Sequence, residues 1–313
     1  MMKKSLGYTL LPLLAAIALF SCGTNTPLVP GDDESILSFG SDQSLEIVTW
    51  NLRTFPLDQA SIQTIAQIIP QMRADIIAFQ EIMDSSAFHE LANLIPNYSA
   101  HIYNATSSYR LAYLYDTRVV RVNDVYTIYE GQTNPFPRAP YVLDFDFQGR
   151  NFKVINNHLK AYGDNYIDES DPWDEECRRR LACQMLDQYI VENLPNDNVI
   201  VVGDMNDQIA EPEEYNVFRV FLDKPEEYRF ADMHIALAPT YNNVSYPPYV
   251  SHIDHILVTN ELFDALDNAN SVCRVIRVDE FMGSWQNYFN QISDHRPLGV
   301  KLFFSKALFE REP

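Results

Sequence analysis

Positive charge is scarce in this sequence: 23 lysines and arginines face 43 aspartates and glutamates, a formal net charge of −20. Such a surface repels polyanions at long range, which counts against tight, non-specific nucleic-acid binding. It leaves catalysis on phosphates open, because a bound cation would dominate the local field. Cysteine is also sparse, with four residues at 22, 177, 183 and 273 and no spacing that suits a zinc site. An exported compartment would permit a Cys177–Cys183 disulfide, but on a regular helix two residues at that separation point to different faces. No long apolar run is present either; Leu10 to Phe20 is too short to span a bilayer. Past residue 44 there is no second linker, internal repeat or low-complexity break.

That short run follows Lys3 and Lys4 and has the polarity of a signal peptide. It ends in Leu19-Phe20-Ser21-Cys22, which resembles a bacterial lipobox, so residues 1–21 are expected to be a cleaved leader and Cys22 the lipidated residue. Residues 22–44, rich in Pro, Gly, Thr, Ser and Asp, read as a flexible tether. Residues 45–305 read as one large α/β domain, and 306–313 as a tail. A content of 46% hydrophobic and 12% aromatic residues agrees with a packed globule. The expected location is the bacterial cell envelope, lipid-anchored on a periplasmic or extracellular face, with the protein a monomer.

Several strand-like runs share one feature: they end in polar groups. Leu45 to Trp50 alternates like a strand and delivers Asn51, whose amide offers an oxygen to a metal or a hydrogen to a phosphate, or simply makes a turn. Pro56 and Asp58 start a helix with Ile62, Ile65 and Ile69 at helical spacing, which should end or kink near Pro70. Ala74 to Phe79 is continuously apolar, as in a strand covered on both faces, and delivers Glu81. There a hard carboxylate suits Mg²⁺ or Ca²⁺, or caps the helix around Ser86 to Leu94. Tyr109 to Tyr115 is the next strand, with Tyr113 a candidate phosphate contact, and Arg138 stands between Pro137 and Pro140, where a rigidly presented guanidinium can clamp a phosphate.

Asn151 to Leu159 ends in Asn156, Asn157 and His158, followed by a long acidic loop and a helix from Glu175 to Leu194. Asn198 to Val202 is wholly apolar and runs through Gly203, which permits close backbone approach, to Asp204 and Asn206 on one side of an extended segment. Asp254 falls inside the strand Ile253 to Val258, where an unpaired acid is costly and calls for a partner; His252 and His255 point the other way and read as rim residues. Finally Ser293-Asp294-His295-Arg296-Pro297 precedes the alternating run Leu298 to Phe304. A carboxylate beside an imidazole can hold a divalent metal with one residue and a proton with the next.

Six strand exits carrying the same few polar types are hard to attribute to turns. With Trp50-Asn51-Leu52-Arg53-Thr54-Phe55, Gln80-Glu81, Asn156-Asn157-His158-Leu159, Gly203-Asp204-Met205-Asn206, Ile253-Asp254 and Ser293-Asp294-His295-Arg296-Pro297 in this order, the chain resembles the endonuclease/exonuclease/phosphatase superfamily. The Asn-x-Arg-Thr-Phe segment and Arg138 look like its deoxyribonuclease I branch. The resemblance implies a four-layer α/β sandwich, two mixed β-sheets packed face to face with helices outside, and a divalent-metal site at their shared rim.

It further implies that Glu81, with Asn51 and Asp294, binds Mg²⁺, with Ca²⁺ or Mn²⁺ as alternatives. His295 would be the base, held by Asp254; His158 the acid; Asp204 and Asn206 would orient water and phosphate, with Asn51, Tyr113, Arg138 and Asn156 contacting the phosphate. In deoxyribonuclease I a glutamate orients the acid histidine, where the matching strand here offers Tyr109 or Arg110. The implied activity is phosphodiester hydrolysis, foremost on nucleic acid; a phosphatase or phospholipase-C-like activity on small phosphoesters or phospholipid is the alternative, and a non-catalytic binding lipoprotein a third reading.

Overall fold

The computed structural model describes residues 35–103 and 109–304. The expected leader, Cys22 and the tail 306–313 lie outside the described residues. Among the described residues the chain forms twelve strands in two six-stranded sheets. The first sheet contains β1 (Ser44–Phe55), β2 (Ile76–Ile82), β3 (Tyr98–Ile102), β4 (Arg110–Asp116), β11 (Val272–Val275) and β12 (Leu298–Phe303), in the order β11-β12-β1-β2-β4-β3. The second contains β5 (Val120–Thr127), β6 (Tyr141–Phe147), β7 (Arg150–His158), β8 (Asn198–Asp204), β9 (Tyr228–Phe230) and β10 (Asp254–Thr259), in the order β5-β6-β7-β8-β10-β9. Both sheets are mixed, and each has one parallel pair at its centre, β1–β2 and β7–β8. The alternation and apolar runs leave four strands unread: β3, β9 and β11 are short edge strands, and β6 lies inside the second sheet between β5 and β7.

Three apolar layers hold the sandwich. Leu45, Ile47, Ile76, Val154, Ile200, Ile256 and Val300 fill the space between the sheets. The helices α1 (Gln59–Met72) and α2 (Ser85–Leu94) cover the outer face of the first sheet through Ile62, Ile65, Ile69, Phe88 and Leu91. On the far side, α3 (Glu175–Asn193) and the short α4 (Arg219–Leu222) cover the second sheet through Leu186, Ile190 and Phe221. This is the expected four-layer arrangement.

α1 begins where its sequence says it should: the Asp58 carboxylate accepts from the Ser61 amide at 2.9 Å in a reciprocal capping box. It ends at Met72, close to Pro70 as expected: Pro70 lies in the last turn and the left-handed residue Arg73 closes the helix. The fold also starts earlier than expected. Leu37 and Phe39, assigned to the tether, are buried, and the amides of Phe39 and Gly40 donate to the Met72 carbonyl at 3.1 and 3.0 Å. Phe39 lies so close over Gly299 that any side chain there would collide with its ring. Cys177, Cys183 and Cys273 are free thiols, and among the described residues no helix is long and apolar enough to cross a membrane.

Candidate active site

In open α/β sheets ligands bind beyond the carboxyl ends of parallel strands, and both parallel pairs deliver their polar exits to the same rim. In the second sheet the register places His158 beside Asp204, and Asp204 beside Asp254, so one row crosses three adjacent strands. The close approach of β7 to β8 depends on Gly203, where an added Cβ would sit 2.0 Å from the Asn157 carbonyl oxygen. From the first sheet, Asn51 and Glu81 face this row: the Asn51 amide donates to Asp204 Oδ2 at 2.9 Å and to Glu81 Oε1 at 3.2 Å. Glu81 has φ 64°, and Arg53 and Thr54 are also left-handed, so β1 and β2 leave regular pairing here. Strain of this kind persists where neighbours over-determine the backbone. Here the Thr54 amide donates to Glu81 Oε2 at 2.9 Å.

The Asp294–His295 turn closes the constellation. The Ser293 hydroxyl donates to the Asn51 carbonyl at 2.7 Å and accepts from the His295 amide at 3.0 Å. Trp50 donates to the Tyr288 hydroxyl, which in turn donates to the His295 carbonyl. Arg296, fully buried, is ion-paired with Asp279 at 2.7 Å. So fixed, His295 donates from Nδ1 to Asp254 Oδ2 at 2.7 Å and turns Nε2 toward Asp204 Oδ2, 3.8 Å away. Asp254 thus has the partner that its place in a strand demanded.

Electrostatics separate the roles. Burial pushes His295 down, but Asp254 and Asp204 outweigh it and raise it to about 10. Burial raises Asp204 to about 7, with Asp254 and Glu81 adding to the rise against the opposing pull of His295. His158 is held well below the usual imidazole range by burial and by the charges of Arg138 and His295. Its Nε2 lies 3.5 Å from Asp204 Oδ2, and its buried Nδ1 has no partner among the described residues. Glu81 Oε1 lies 3.9 Å from Nε2, and no glutamate bonds Nδ1 among the described residues. A neutral, buried imidazole is a weak proton donor, whereas a carboxyl near 7 is a suitable one.

Three expectations are corrected. Tyr113 contacts no phosphate site: its hydroxyl is buried between the sheets, 2.7 Å from the Tyr141 carbonyl and 2.9 Å from that of Val154, and accepts from the Asn156 amide. Asn156 is also spent inside. Its oxygen accepts from Gln80 at 2.7 Å and its amide nitrogen donates to the carbonyls of Phe79 and Ala112. His252 and His255 are no rim residues; both are buried on the helix-covered side of β10, because the second sheet has apolar layers on both faces. Arg138 does reach the site, since its charge is felt by Glu81, Asp204 and His158, and it stacks over Tyr109 at 5.2 Å. Asn206, left-handed at φ 56°, follows Asp204, whose Oδ1 accepts from its amide at 3.1 Å. Tyr246, which no pattern in the sequence singled out, lays its ring 4.7 Å from that of His295.

The donor set fits a hard divalent cation. Carboxylates outnumber the cationic groups, Glu81 keeps 18% of its side chain exposed at the mouth, and one oxygen of Asp254 is buried without a partner. Asp204, Asp254 and His295 each bring a potential ligand atom within 4.8 Å of the others. His295 and Asp254 are engaged with each other, Glu81 is the carboxylate open to solvent, and Asp294 acts on His295 through its charge. Asn51 turns its amide nitrogen to the carboxylates while its oxygen accepts from the Arg53 amide at 2.8 Å.

A family model described as the Endonuclease/Exonuclease/phosphatase family matches residues 48–295. Solved structures share the fold. One is an endonuclease/exonuclease/phosphatase from Bacteroides vulgatus, 17% identical with a TM-score of 0.58, covering 84% of this chain and 99% of that one. D. rerio TDP2 complexed with single strand DNA product is 14% identical with a TM-score of 0.57, covering 83% and 99%. The human Nocturnin catalytic domain with bound sulfate anion is 14% identical with a TM-score of 0.55, covering 84% and 95%. No curated protein matches.

Proposed function

The chain belongs to the endonuclease/exonuclease/phosphatase family, and from that premise we propose that it is a divalent-metal-dependent phosphodiesterase, foremost an endonuclease, anchored to the cell envelope by lipid on Cys22. The observation that carries the reading is the convergence of His158, Asp204 and Asp254 on one row, with His295, Glu81 and Asn51 facing it from the other sheet.

In-line attack on a phosphodiester needs a base on one side, a proton for the leaving oxygen on the other, and positive charge at the equatorial oxygens. His295, oriented by Asp254, takes the proton of the attacking water at Nε2. Asp204, beside His158, holds a proton near neutrality for the leaving oxygen. Asn206, Arg138 and the Asn51 amide supply donors for the phosphoryl oxygens. A divalent cation at Glu81 and Asp294, Mg²⁺ foremost, would neutralise developing charge and offset the carboxylates that hold His295 protonated.

Substrate profiling tests this. The metal-loaded protein should cleave plasmid DNA or RNA and lose that activity with EDTA; cleavage of phospholipid micelles or small phosphomonoesters alone would replace the nuclease reading. That second reading has one observation in its favour, the net charge of −20, which repels a polyanion but not a small ester.

A further inference from the structure

Behind the catalytic row lies a second set of charged groups that the proposed reaction does not use. Asp232, His252 and His255 are all buried, and one carboxylate oxygen, Asp232 Oδ2, is 3.0 Å from His252 Nε2 and 2.6 Å from His255 Nδ1. Three such groups converging suggest a metal centre, but the outer hydrogen bonds decide otherwise. His252 Nδ1 accepts from the Ser245 amide at 3.2 Å, so the proton of this neutral ring sits on Nε2 and points at Asp232. A cation on that nitrogen would move the proton to Nδ1, against the Ser245 amide hydrogen. His255 faces acceptors on both sides, Asp232 at Nδ1 and the Asp207 carbonyl at 2.8 Å from Nε2, so both nitrogens carry protons and the ring is an imidazolium. Asp232 Oδ1 accepts from the Ile256 amide at 3.0 Å. The titratable groups facing His255 are Asp232, His252 and Asp254, with Cys273 near Asp232; the rings of Phe218 and Phe230 close its other sides.

The connections of this trio run to both halves of the catalytic row. Through Nε2, His255 grips the carbonyl of Asp207, at the end of the turn that carries Asp204 and Asn206. The same turn is held by Met205 donating to the Ile253 carbonyl at 2.9 Å, and by the Asp207 carboxylate accepting from Arg179 at 2.7 Å. Through Nδ1, His252 holds Ser245, whose carbonyl accepts from the Arg296 amide at 2.7 Å, next to His295, and whose hydroxyl accepts from the Asp254 amide at 3.2 Å.

We propose that Asp232, His252 and His255 form a buried carboxylate–imidazolium brace that holds the Asp204–Asn206 turn at its working distance from the Asp254–His295 pair, and that they are positioning residues rather than a second metal centre. The inference rests on the phosphodiesterase reading for its kinetic consequence, but the charge state and geometry of the brace can be read without a substrate. A misplacement of about 1 Å in a catalytic constellation can cost roughly a hundredfold in rate.

The test pairs His255→Phe, whose ring fits the aromatic surroundings but loses both hydrogen bonds, with His252→Gln. In the folded variants kcat on a simple phosphodiester is expected to fall by about 10- to 100-fold, with KM and the Mg²⁺ concentration for half activation nearly unchanged. The downfield Nδ1 proton of His295, bonded to Asp254, should shift or disappear in nuclear magnetic resonance spectra. An unchanged His295 resonance together with unchanged kcat would overturn the positioning role. If neither variant folds, the wild-type protein still decides: ¹⁵N resonances should show both ring nitrogens of His255 protonated at about pH 6.5, where an ordinary imidazole is half neutral, and a neutral ring there would refute the brace. Cobalt binding that is lost in His255→Phe would show a metal centre instead. A wild-type protein that cleaves no phosphodiester would refute the functional reading and leave the resonance measurements to judge the brace.

Discussion

Buried carboxylates gather at the catalytic rim and again at the opposite end of β1 and β2, and the two clusters behave differently. At the catalytic rim, Asp204 is raised by burial, Asp254 and Glu81, but two imidazoles face it and Glu81 opens to solvent. At the opposite end, burial and the Asp75 charge raise Glu46 to about 9. Glu46 Oε1 accepts from the Ser41 amide at 3.1 Å and from the Ser44 hydroxyl, its amide donates to Asp75 Oδ2 at 3.0 Å, and Oε2 is buried without a partner. A cleft of about 820 Å³ lined by Ser41, Asp75, Asn97, Asp116 and Arg118 lies at that end. A raised carboxyl is therefore present at both places and a large cavity lies away from the rim, so neither feature by itself marks the active site. The candidate acid, base and phosphate donors converge at the rim, where the parallel strands point.

The contrast can be broken most directly at the rim. His295→Ala or Glu81→Ala should lower kcat/KM on a phosphodiester by about 10²–10⁴-fold, while Glu46→Gln should leave it unchanged; a rim variant that keeps its rate would remove the distinction. Next in size is the response to metal. At a hundred times its dissociation constant Mg²⁺ should stabilise the fold by about 2.7 kcal/mol. That rise in Tm should vanish in Glu81→Ala and persist in Glu46→Gln, and calorimetry with and without EDTA checks it.

The opposite end sharpens the comparison through pH. The folded value for Glu46, about 9, lies above its ordinary value of 4.5, so between those limits the folded chain keeps a proton that the unfolded chain loses. Stability contributed by the protonated group is whole below about 4.5 and is lost as pH rises toward 9. Glu46→Gln should flatten that slope and stabilise the protein by about 1–2 kcal/mol at pH 8, as urea unfolding across the window would report. The smallest effect belongs to Tyr113→Phe. It should cost about 1 kcal/mol of stability for the lost inter-sheet hydrogen bond and leave kcat/KM unaltered; a loss of activity without a loss of stability would restore Tyr113 as a phosphate contact.

The strand exits were legible because a buried strand of a parallel pair is a continuous apolar run, as in Ile76 to Phe79 and Val199 to Val202, and a carboxylate at its end stands out. Asp254 was legible for a related reason: an acid inside a strand must find a partner, and His295 is that partner. The same reasoning placed Asn156 at the rim and failed by one step of the pleat. Asn156 and His158 share a face two residues apart, roughly 7 Å along the strand, and that interval separates the cleft from the interior between the sheets. Only the stacking of one sheet on the other sets where the cleft begins.

What the sequence determined by itself is local and periodic: the strands and their polar exits, the Asp58 cap, the close approach at Gly203, and the order of motifs that places the chain in its family. What the tertiary structure decided is everything that depends on which distant groups share a proton or a charge. The neutral state of His158, the lift of Asp204, the burial of His252 and His255 and their bond to Asp232 all follow from sheet register and packing depth. The physical reason is range. Backbone preference and alternation act over a few residues, whereas desolvation and Coulomb interaction act between side chains that only the folded sandwich brings together.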